Sequence, residues 1–228
     1  MPEPPDAPPA VRLETHHGTA ALVFGSPILD RETLTGLETC LRRLADEPET
    51  RPLVLRSLHP TVFLAGAHLG EIAALDARSC VGYAALGRRV MSLLGAHPAV
   101  TVAAVDGSCS GGGFDLVLSC DAIVVGPKAS FDHPGVRRGL VTGWTGTTTV
   151  RAALGSPLAR AAFIGGRPLD APAAVAAGVA LAAADDAAAA AAALALGLAE
   201  LDPERIELWR RLRGPRFVDR FRASMVHK

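Results

Sequence analysis

The stretch SCSGGGFDLVLSCDA, residues 108–122, places three consecutive glycines, Gly111–Gly113, directly before an apolar run. Glycine in a packed element costs roughly 0.5–1 kcal/mol relative to alanine, because its unfolded backbone has so much freedom. The preceding residues AVTVAAVDG (99–107) favour a strand, and FDLVLSC (114–120) favours two helical turns. The glycines therefore indicate a sharp passage from strand to helix, or a place where another group approaches the backbone closely.

This glycine strip has two interpretations. It can be a tight strand-to-helix turn with no further role. Alternatively, a helix that begins at such a strip leaves backbone N–H groups without partners, with the positive end of the helix dipole behind them. That arrangement suits an anion or a developing oxyanion, so the strip is a candidate functional site.

The composition limits the class of protein. With 228 residues, 49% of them hydrophobic, the chain can bury a substantial core and is predicted to be one compact domain with an appendage. Its 23 basic and 23 acidic residues give a net charge of 0, so no overall field favours nucleic acid or an anionic membrane surface. No apolar run reaches the ~20 residues of a membrane span, and the N-terminal MPEPPDAPPAVR lacks the features of a secretory signal. We expect no nucleic-acid or membrane partner and a cytoplasmic location.

The cysteines give no sign of a metal site. Their spacing contains no C-x-x-C pair, and most of their neighbours are apolar; they are Cys40, Cys80, Cys109 and Cys120. Buried free thiols are therefore predicted, rather than disulfides or zinc ligands.

The order of elements indicates an α/β fold. The pattern predicts a hairpin over 11–24, helices over 30–48 and 80–98, and strands over 51–57 and 99–107. A further helix, entered from the loop that begins at residue 141, is predicted to stop at Gly155–Pro157, and the chain from 157 on is predicted to be mostly helical. Residues 1–10 contain five prolines and are predicted to form a disordered arm.

Four blocks, in order, resemble the enoyl-CoA hydratase/isomerase family, also called the crotonase superfamily. The blocks are FLAGAHLGEI (63–72), AAVDGSCSGGGFDLVLSCDAIVV (103–125), ASFDHPGVRRGLVTGWTGTTTV (129–150) and FIGGRPLDAPAAVAAGV (163–179). They are similar to the family's A-G-A-D loop, its G-G-G-x-E-L segment, its P-E loop and the helix that follows. The resemblance implies a crotonase-like spiral of repeated ββα units over 11–180 and a C-terminal helical oligomerisation region over 181–228.

The resemblance also implies a ligand and an assembly: an acyl-CoA thioester, no separate cofactor, and a homotrimer or dimer of trimers. In this family two backbone N–H groups hold the thioester carbonyl oxygen, and they match Ala67 and Gly112 here. Fixed donors of this kind can supply ~3–4 kcal/mol each to a developing oxyanion. The positions matched to CoA contacts are Ala65, Ala67, His68, Leu69 and Gly112.

Two positions depart from the family's pattern. Asp115 stands where the hydratases carry their first glutamate, three residues after Gly112, and its side chain is one methylene shorter. Gly135 stands where they carry the second glutamate, so the two-glutamate hydration mechanism cannot run unaltered. Asp132 and His133 are neighbours that could take over the lost role, and a histidine has an intrinsic pKa of about 6.5, which suits acid–base work.

Several of these residues have a plainer alternative. Asp115 can be a first-turn acid favoured by the helix dipole, and His133 a loop histidine that bonds only to backbone. Trp144 can line the acyl pocket or belong to the core. The basic tail can meet CoA phosphates from a neighbouring subunit or be a solvated face; its arginines are Arg213, Arg216, Arg220 and Arg222.

The predicted function is therefore an acyl-CoA-processing enzyme, most simply an enoyl-CoA hydratase/isomerase-like lyase. Ala67 and Gly112 would form its oxyanion hole, and Asp115 with His133 would be its acid and base groups. Two alternatives stay open. One is a non-catalytic homologue that acts as a binding or regulatory subunit, and the other is an enzyme that cleaves C–C bonds by hydrolysis or retro-Claisen chemistry.

Overall fold

A computed structural model describes the chain over residues 10–16, 18–47 and 51–212. Two predictions fall largely or wholly outside these ranges: the disordered arm over 1–10, of which only residue 10 is described, and the basic tail with Arg213, Arg216, Arg220 and Arg222. The division into a core over 11–180 and a helical region over 181–228 stays a prediction.

The described strands fall into three sheets. In chain order they are β1 (Val11–His16), β2 (Thr19–Phe24), β3 (Ile28–Leu29), β4 (Leu53–Ser57), β5 (Val62–Leu64), β6 (Gly66–Ala67), β7 (Thr101–Val105), β8 (Ser108–Ser110), β9 (Ala122–Val125), β10 (Ser130–Asp132), β11 (Leu169–Asp170) and β12 (Ala182–Ala183). The largest sheet has the order β1-β2-β4-β7-β9-β12, a second has β11-β10-β8-β5, and β3 pairs with β6.

Helices separate these strands. They are α1 (Arg31–Ala45), α2 (Leu69–Ala73), α3 (Ser79–Gly95), α4 (Gly112–Val117), α5 (Gly146–Arg160), α6 (Ala171–Ala176), α7 (Ala187–Ala199) and α8 (Pro203–Leu212), with a short 3-10 helix at Pro134–Arg138 and a π-helical turn at Ala161–Gly165. Along the chain, a strand of the large sheet is followed by a strand of the second sheet and then by a helix, as in β7, β8 and α4. This repetition is the spiral of ββα units that the resemblance implies.

The large sheet is buried on both faces, which explains its apolar strands. The β1–β2 hairpin is antiparallel, and the other pairs of this sheet are parallel. Along β4, Leu53 and Leu55 face the cluster that contains side chains of α1 and α3, whereas Val54 faces the alanines of α7. Alternate residues therefore enter two separate layers of core, as the period of a strand requires.

The predicted end of α5 was wrong. Gly155 has φ 68° and ψ 168° and interrupts α5, but helical structure resumes and reaches Arg160, because proline is tolerated in the first turn of the resumed segment. From residue 157 on the described chain is mostly helical, as predicted, but Ala182–Ala183 form β12, which pairs with β9. Alanine does not favour a strand by itself, so the open edge of the large sheet decides this pairing.

The cysteines are free, as predicted, but not all are buried. Cys109 and Cys120 are buried, Cys40 is half-buried and Cys80 is exposed, so the expectation of burial was wrong for Cys80. Within the described ranges, no group of three or more histidine, cysteine, aspartate or glutamate side chains is placed to hold a metal ion. None of the helices described is long and apolar enough to cross a membrane.

Helix α8 is held onto the core by a buried ion pair. Arg210 donates to both carboxylate oxygens of Asp121, at 2.8 and 2.7 Å, and to Ala99 O at 2.9 Å. The Asp121 carboxylate also accepts from Thr101 N and Oγ1, at 2.9 and 3.1 Å. Because only 2% of the Asp121 side chain is exposed, its charge depends on these donors.

We expect Arg210→Ala to lower the free energy of unfolding by about 3 kcal/mol, because it removes the guanidinium that is paired with the buried Asp121 carboxylate. The matched control is Arg211→Ala, which breaks an exposed ion pair with Glu207 and should cost less than about 1 kcal/mol. Urea unfolding of the three proteins measures both changes. Equal effects of the two substitutions would show that the buried pair does not hold α8.

A second buried polar group lies where α3 crosses the start of α1. Tyr83 is 5% exposed, and the Arg31 guanidinium lies 5.6 Å from its ring centre. Its Oη is buried and has no hydrogen-bond partner among the described residues. Burial, with a further contribution from the negative charge of Glu71, raises the pKa of Tyr83 to about 12. The phenol is therefore neutral in the folded protein at any ordinary pH.

This pKa predicts a loss of stability at high pH. An unfolded tyrosine ionises near a pH of about 10. Between that value and the folded pKa of about 12, the unfolded chain binds fewer protons than the folded one, so stability falls by up to about 1.4 kcal/mol per pH unit. Tyr83 is the only tyrosine, so the ultraviolet absorbance of its phenolate reports the titration directly. Tyr83→Phe should remove the part of this fall that Tyr83 causes. It should change the stability at neutral pH by less than about 1 kcal/mol, because the lost hydroxyl has no hydrogen-bond partner among the described residues. A phenolate that appears with its ordinary midpoint in the folded protein would contradict the prediction.

Candidate active site

The glycine strip lies where β8 passes into α4. Gly111 has a φ of 53°, a conformation that favours glycine, and its N–H donates to Asp132 O at 3.0 Å. Gly112 is the first residue of α4, so its N–H has no acceptor within the helix. The strand-to-helix turn predicted from the sequence is confirmed, and the turn leaves a backbone donor at its end.

The loop that carries Ala67 packs directly against this strip. Gly66 has a φ of 93°, and a Cβ on it would lie 2.8 Å from Ser110 O and 2.9 Å from Gly112 N. A Cβ on Gly113 would lie 2.6 Å from a side-chain carbon of β5. Side chains are therefore excluded along this contact, and the two backbone segments predicted to form the oxyanion hole lie next to each other.

Asp115 and His133 form a buried hydrogen-bonded pair. His133 Nε2 lies 2.8 Å from Asp115 Oδ1, and Thr142 Oγ1 donates to Asp115 Oδ2 at 2.5 Å. The Asp115 side chain is fully buried, and 6% of the His133 side chain is exposed. Both carboxylate oxygens thus have partners, which a buried carboxylate requires. The structure brings together the two side chains predicted to be the acid and base groups.

The hydrogen bond assigns roles to the two nitrogens of His133. A carboxylate only accepts, so with Asp115 ionised the Nε2–H donates and Nδ1 carries the lone pair. Among the described residues, Nδ1 has no hydrogen-bond partner. The imidazole ring packs on Phe163 with ring centres 4.7 Å apart, which fixes its orientation. The arrangement is an oriented histidine with one basic nitrogen that is free to exchange a proton.

Two other side chains near this pair, Asp132 and Cys109, could also exchange protons. Asp132 Oδ1 accepts from Ser110 Oγ at 2.5 Å, across the β8–β10 pair. Burial, followed by the negative charges of Asp115 and Asp132, raises the pKa of the Cys109 thiol well above its ordinary value. Cys109 is therefore a neutral thiol and a poor nucleophile.

Trp144 lies in a slot between α3 and α4. The residue is 8% exposed, and a Cβ on either Gly87 or Gly112 would overlap its indole ring. The ring of Tyr83 packs beside it, with ring centres 6.0 Å apart. The backbone N–H of Trp144 donates to Thr142 Oγ1 at 3.3 Å. Trp144 is thus a buried side chain that touches the predicted oxyanion glycine.

Apart from Gly112, the positions matched to CoA contacts lie together, from the β5–β6 connection to the first residue of α2. Ala65, His68 and Leu69 are exposed, and Ala67 is partly buried. His68 Nδ1 accepts from Glu71 N at 3.1 Å and so caps the start of α2. Contact of this loop with CoA stays a prediction.

The sequence analysis missed three side chains around this site. Thr142 bonds to Asp115, Phe163 orients His133, and Tyr83 packs on Trp144. Thr142 and Phe163 lie within blocks that resemble the family, but nothing in the sequence pairs them with Asp115 or His133. Tyr83 lies on α3, far from Trp144 in sequence. Gly135 lies in the 3-10 helix after His133, so no carboxylate comes from that position.

Comparison with known proteins identifies the family of the chain. The family described as enoyl-CoA hydratase/isomerase matches residues 19–206. The mitochondrial methylglutaconyl-CoA hydratase of Mus musculus is 30% identical over 156 residues, which are 68% of this chain and 50% of the mouse protein. The crotonyl-CoA hydratase of Syntrophomonas wolfei is 28% identical over 152 residues, which are 65% of this chain and 58% of that protein. The chain thus spans about half the length of the curated relatives it matches.

Solved structures share the fold. Pseudomonas aeruginosa DspI superposes with a TM-score of 0.81 at 27% identity, over 88% of this chain and 84% of that one. The enoyl-CoA hydratase of Bacillus anthracis superposes with a TM-score of 0.80 at 21% identity, over 90% and 81% of the two chains. These superpositions confirm the crotonase fold predicted from the resemblance. From the matched range, the shared fold and the glycine strip at its centre, we conclude that the chain belongs to the enoyl-CoA hydratase/isomerase family of the crotonase superfamily.

Proposed function

We propose that this protein is an enzyme that acts on an acyl-CoA thioester, most simply as an enoyl-CoA hydratase/isomerase-like lyase. The observation that carries the proposal is the buried Asp115–His133 hydrogen bond, which lies one helical turn beyond Gly112. It supplies an oriented proton-transfer group beside backbone donors that can hold a thioester oxygen. Membership of the family supports the substrate class.

The backbone N–H groups of Ala67 and Gly112 would stabilise the oxygen of the substrate. When the thioester is converted to an enolate or a tetrahedral adduct, negative charge develops on its carbonyl oxygen. Fixed N–H donors lower the energy of that state by ~3–4 kcal/mol each, because they need no reorganisation. The absence of a side chain at Gly66 lets the loop that carries Ala67 lie directly against Gly112 N, so the two proposed donors lie close together.

Proton transfer would run through His133. Both oxygens of Asp115 are already hydrogen-bonded, so its direct access to a substrate atom is obstructed. Asp115 instead holds the Nε2–H tautomer and stabilises the imidazolium that forms when Nδ1 takes a proton. Because Gly135 provides no second carboxylate, activation of water in a hydration would also fall to this pair.

The remaining parts of the proposal follow the family. The assembly is a homotrimer or a dimer of trimers, and no cofactor is needed besides the CoA of the substrate. The relatives named above act on methylglutaconyl-CoA and crotonyl-CoA, both of which carry short acyl groups. The cytoplasmic location stays a prediction, and the mouse relative is mitochondrial.

A second candidate is a non-catalytic homologue that binds an acyl-CoA as a subunit or regulator. Two observations favour it: the absence of a carboxylate at Gly135, and the indole of Trp144 against Gly112. C–C cleavage by hydrolysis or retro-Claisen chemistry is a third, since the same histidine can activate water against a β-dicarbonyl substrate.

Calorimetry with crotonyl-CoA, followed by turnover assays, separates these functions. We expect binding in the micromolar range, with a free adenine nucleotide as the control for CoA recognition alone. Turnover of crotonyl-CoA would establish the lyase, and turnover only of β-diketones or malonyl-type thioesters would establish C–C cleavage. Binding without any turnover would establish the non-catalytic homologue. No heat and no thermal shift with any acyl-CoA would exclude the lyase and the non-catalytic homologue, and C–C cleavage is excluded as well if no β-diketone is turned over.

The Asp115–His133 pair gives a mechanistic prediction. Asp115→Asn and His133→Gln should each lower kcat by a factor on the order of 10²–10⁴ with little change in ligand affinity, because the pair acts as one proton-transfer unit. For the same reason the double variant should be no slower than the slower single variant. Steady-state kinetics on the substrate that is turned over measure this.

Two controls test the assignment. Asp132→Asn changes a carboxylate that accepts from Ser110 Oγ. His59→Gln changes a histidine whose Nδ1 accepts from the backbone N–H groups of Thr61 and Val62, at the start of β5. Both should keep most of the wild-type rate. A wild-type rate for Asp115→Asn, or multiplicative losses in the double variant, would remove the pair from the mechanism.

A further inference from the structure

The space beside Gly112 is occupied by an aromatic ring. A Cβ on Gly112 would overlap the six-membered ring of the Trp144 indole, so the ring touches this glycine on its side-chain face. A thioester whose oxygen accepts from the Gly112 N–H would lie within a few bond lengths of that face. Its acyl carbons would therefore meet the indole soon after the carbonyl.

The indole is fixed in this place and is not a loosely attached lid. One side of the ring fills the slot that the missing side chain of Gly87 leaves on α3, and Tyr83 packs next to it. The backbone N–H of Trp144 bonds to Thr142 Oγ1, which in turn donates to Asp115. The preceding residue is held as well, because Arg88 donates to Gly143 O at 2.9 Å.

These contacts point to a determinant of substrate size. We propose that Trp144 forms the end wall of the acyl pocket and restricts the protein to short acyl groups, of about the length of a butyryl group. The inference rests on the proposed function, because it places the thioester at Ala67 and Gly112. It goes further in that it names the residue that selects the acyl chain and the class of chain selected.

The physical reason is the loss of apolar contact beyond the wall. Each methylene that enters an apolar pocket normally tightens binding about fourfold. Where the pocket ends at a fixed indole, further methylenes must displace the ring from between two glycines or extend into water. Affinity should therefore stop rising, and then fall, as the chain lengthens.

The test is calorimetry with acetyl-, butyryl-, hexanoyl- and decanoyl-CoA on the wild type, Trp144→Phe and Trp144→Ala. We expect the wild type to bind decanoyl-CoA at least roughly tenfold more weakly than butyryl-CoA. Trp144→Ala should tighten decanoyl-CoA binding by at least roughly tenfold and leave free CoA within about threefold of the wild type. Trp144→Phe, which keeps an aromatic ring and disturbs packing less, should fall between the two.

The second tryptophan provides a matched control. Trp209 lies on α8, is 48% exposed and donates to Asp121 O at 3.1 Å, so Trp209→Phe should leave the chain-length profile unchanged. In that variant Trp144 is the only tryptophan, and its fluorescence should change when butyryl-CoA binds next to it.

The outcomes separate this inference from the proposed function. If no acyl-CoA binds to the wild type or to any variant, both are overturned. If acyl-CoAs bind but Trp144→Phe and Trp144→Ala keep the wild-type order of affinities, only the role of Trp144 is overturned. If saturation with butyryl-CoA leaves the fluorescence of Trp144 unchanged, the acyl group binds elsewhere and the role of Trp144 is overturned.

Discussion

The site depends on a contact between two stretches of backbone that carry no side chains. Gly66 lies so close to Ser110 O and Gly112 N that any Cβ would collide with them. Glycine costs conformational entropy at each such place, and the cost is offset only because the close approach brings two loops together. The proposed oxyanion hole, the start of α4 and the position of Asp115 all follow from this contact, since α4 begins at the strip itself.

A second constraint is the buried carboxylate of Asp115. Its oxygens need donors, and these come from His133 after β10 and from Thr142 in the loop before α5. The carboxylate thus ties three segments that are distant in sequence. The loop fixed by Thr142 also carries Trp144, whose indole returns to Gly112. The proposed proton-transfer pair and the proposed wall of the acyl pocket are therefore linked through the side chain of Thr142.

The core beneath the site explains why these loops hold their places. Parallel strands of the large sheet are covered by the α1 and α3 side chains on one face and by the alanines of α7 on the other. Small side chains allow α7 to lie close to the sheet. The ion pair between Arg210 and the buried Asp121 then holds α8, the last described helix, against the core. The strands of the large sheet that lead into β8 and β10, namely β7 and β9, are therefore supported on both faces.

The sequence by itself determined the α/β order, the family resemblance, the glycine strip and the two departures at Asp115 and Gly135, because these are local patterns of residue type and spacing. It did not determine that Thr142 and His133 share the Asp115 carboxylate, that Ala182–Ala183 form a strand, or that Trp144 fills the slot between Gly87 and Gly112. Those outcomes needed the tertiary structure. Hydrogen-bond partners of a buried group, the free edge of a sheet and the space left by absent side chains are fixed only when distant segments meet.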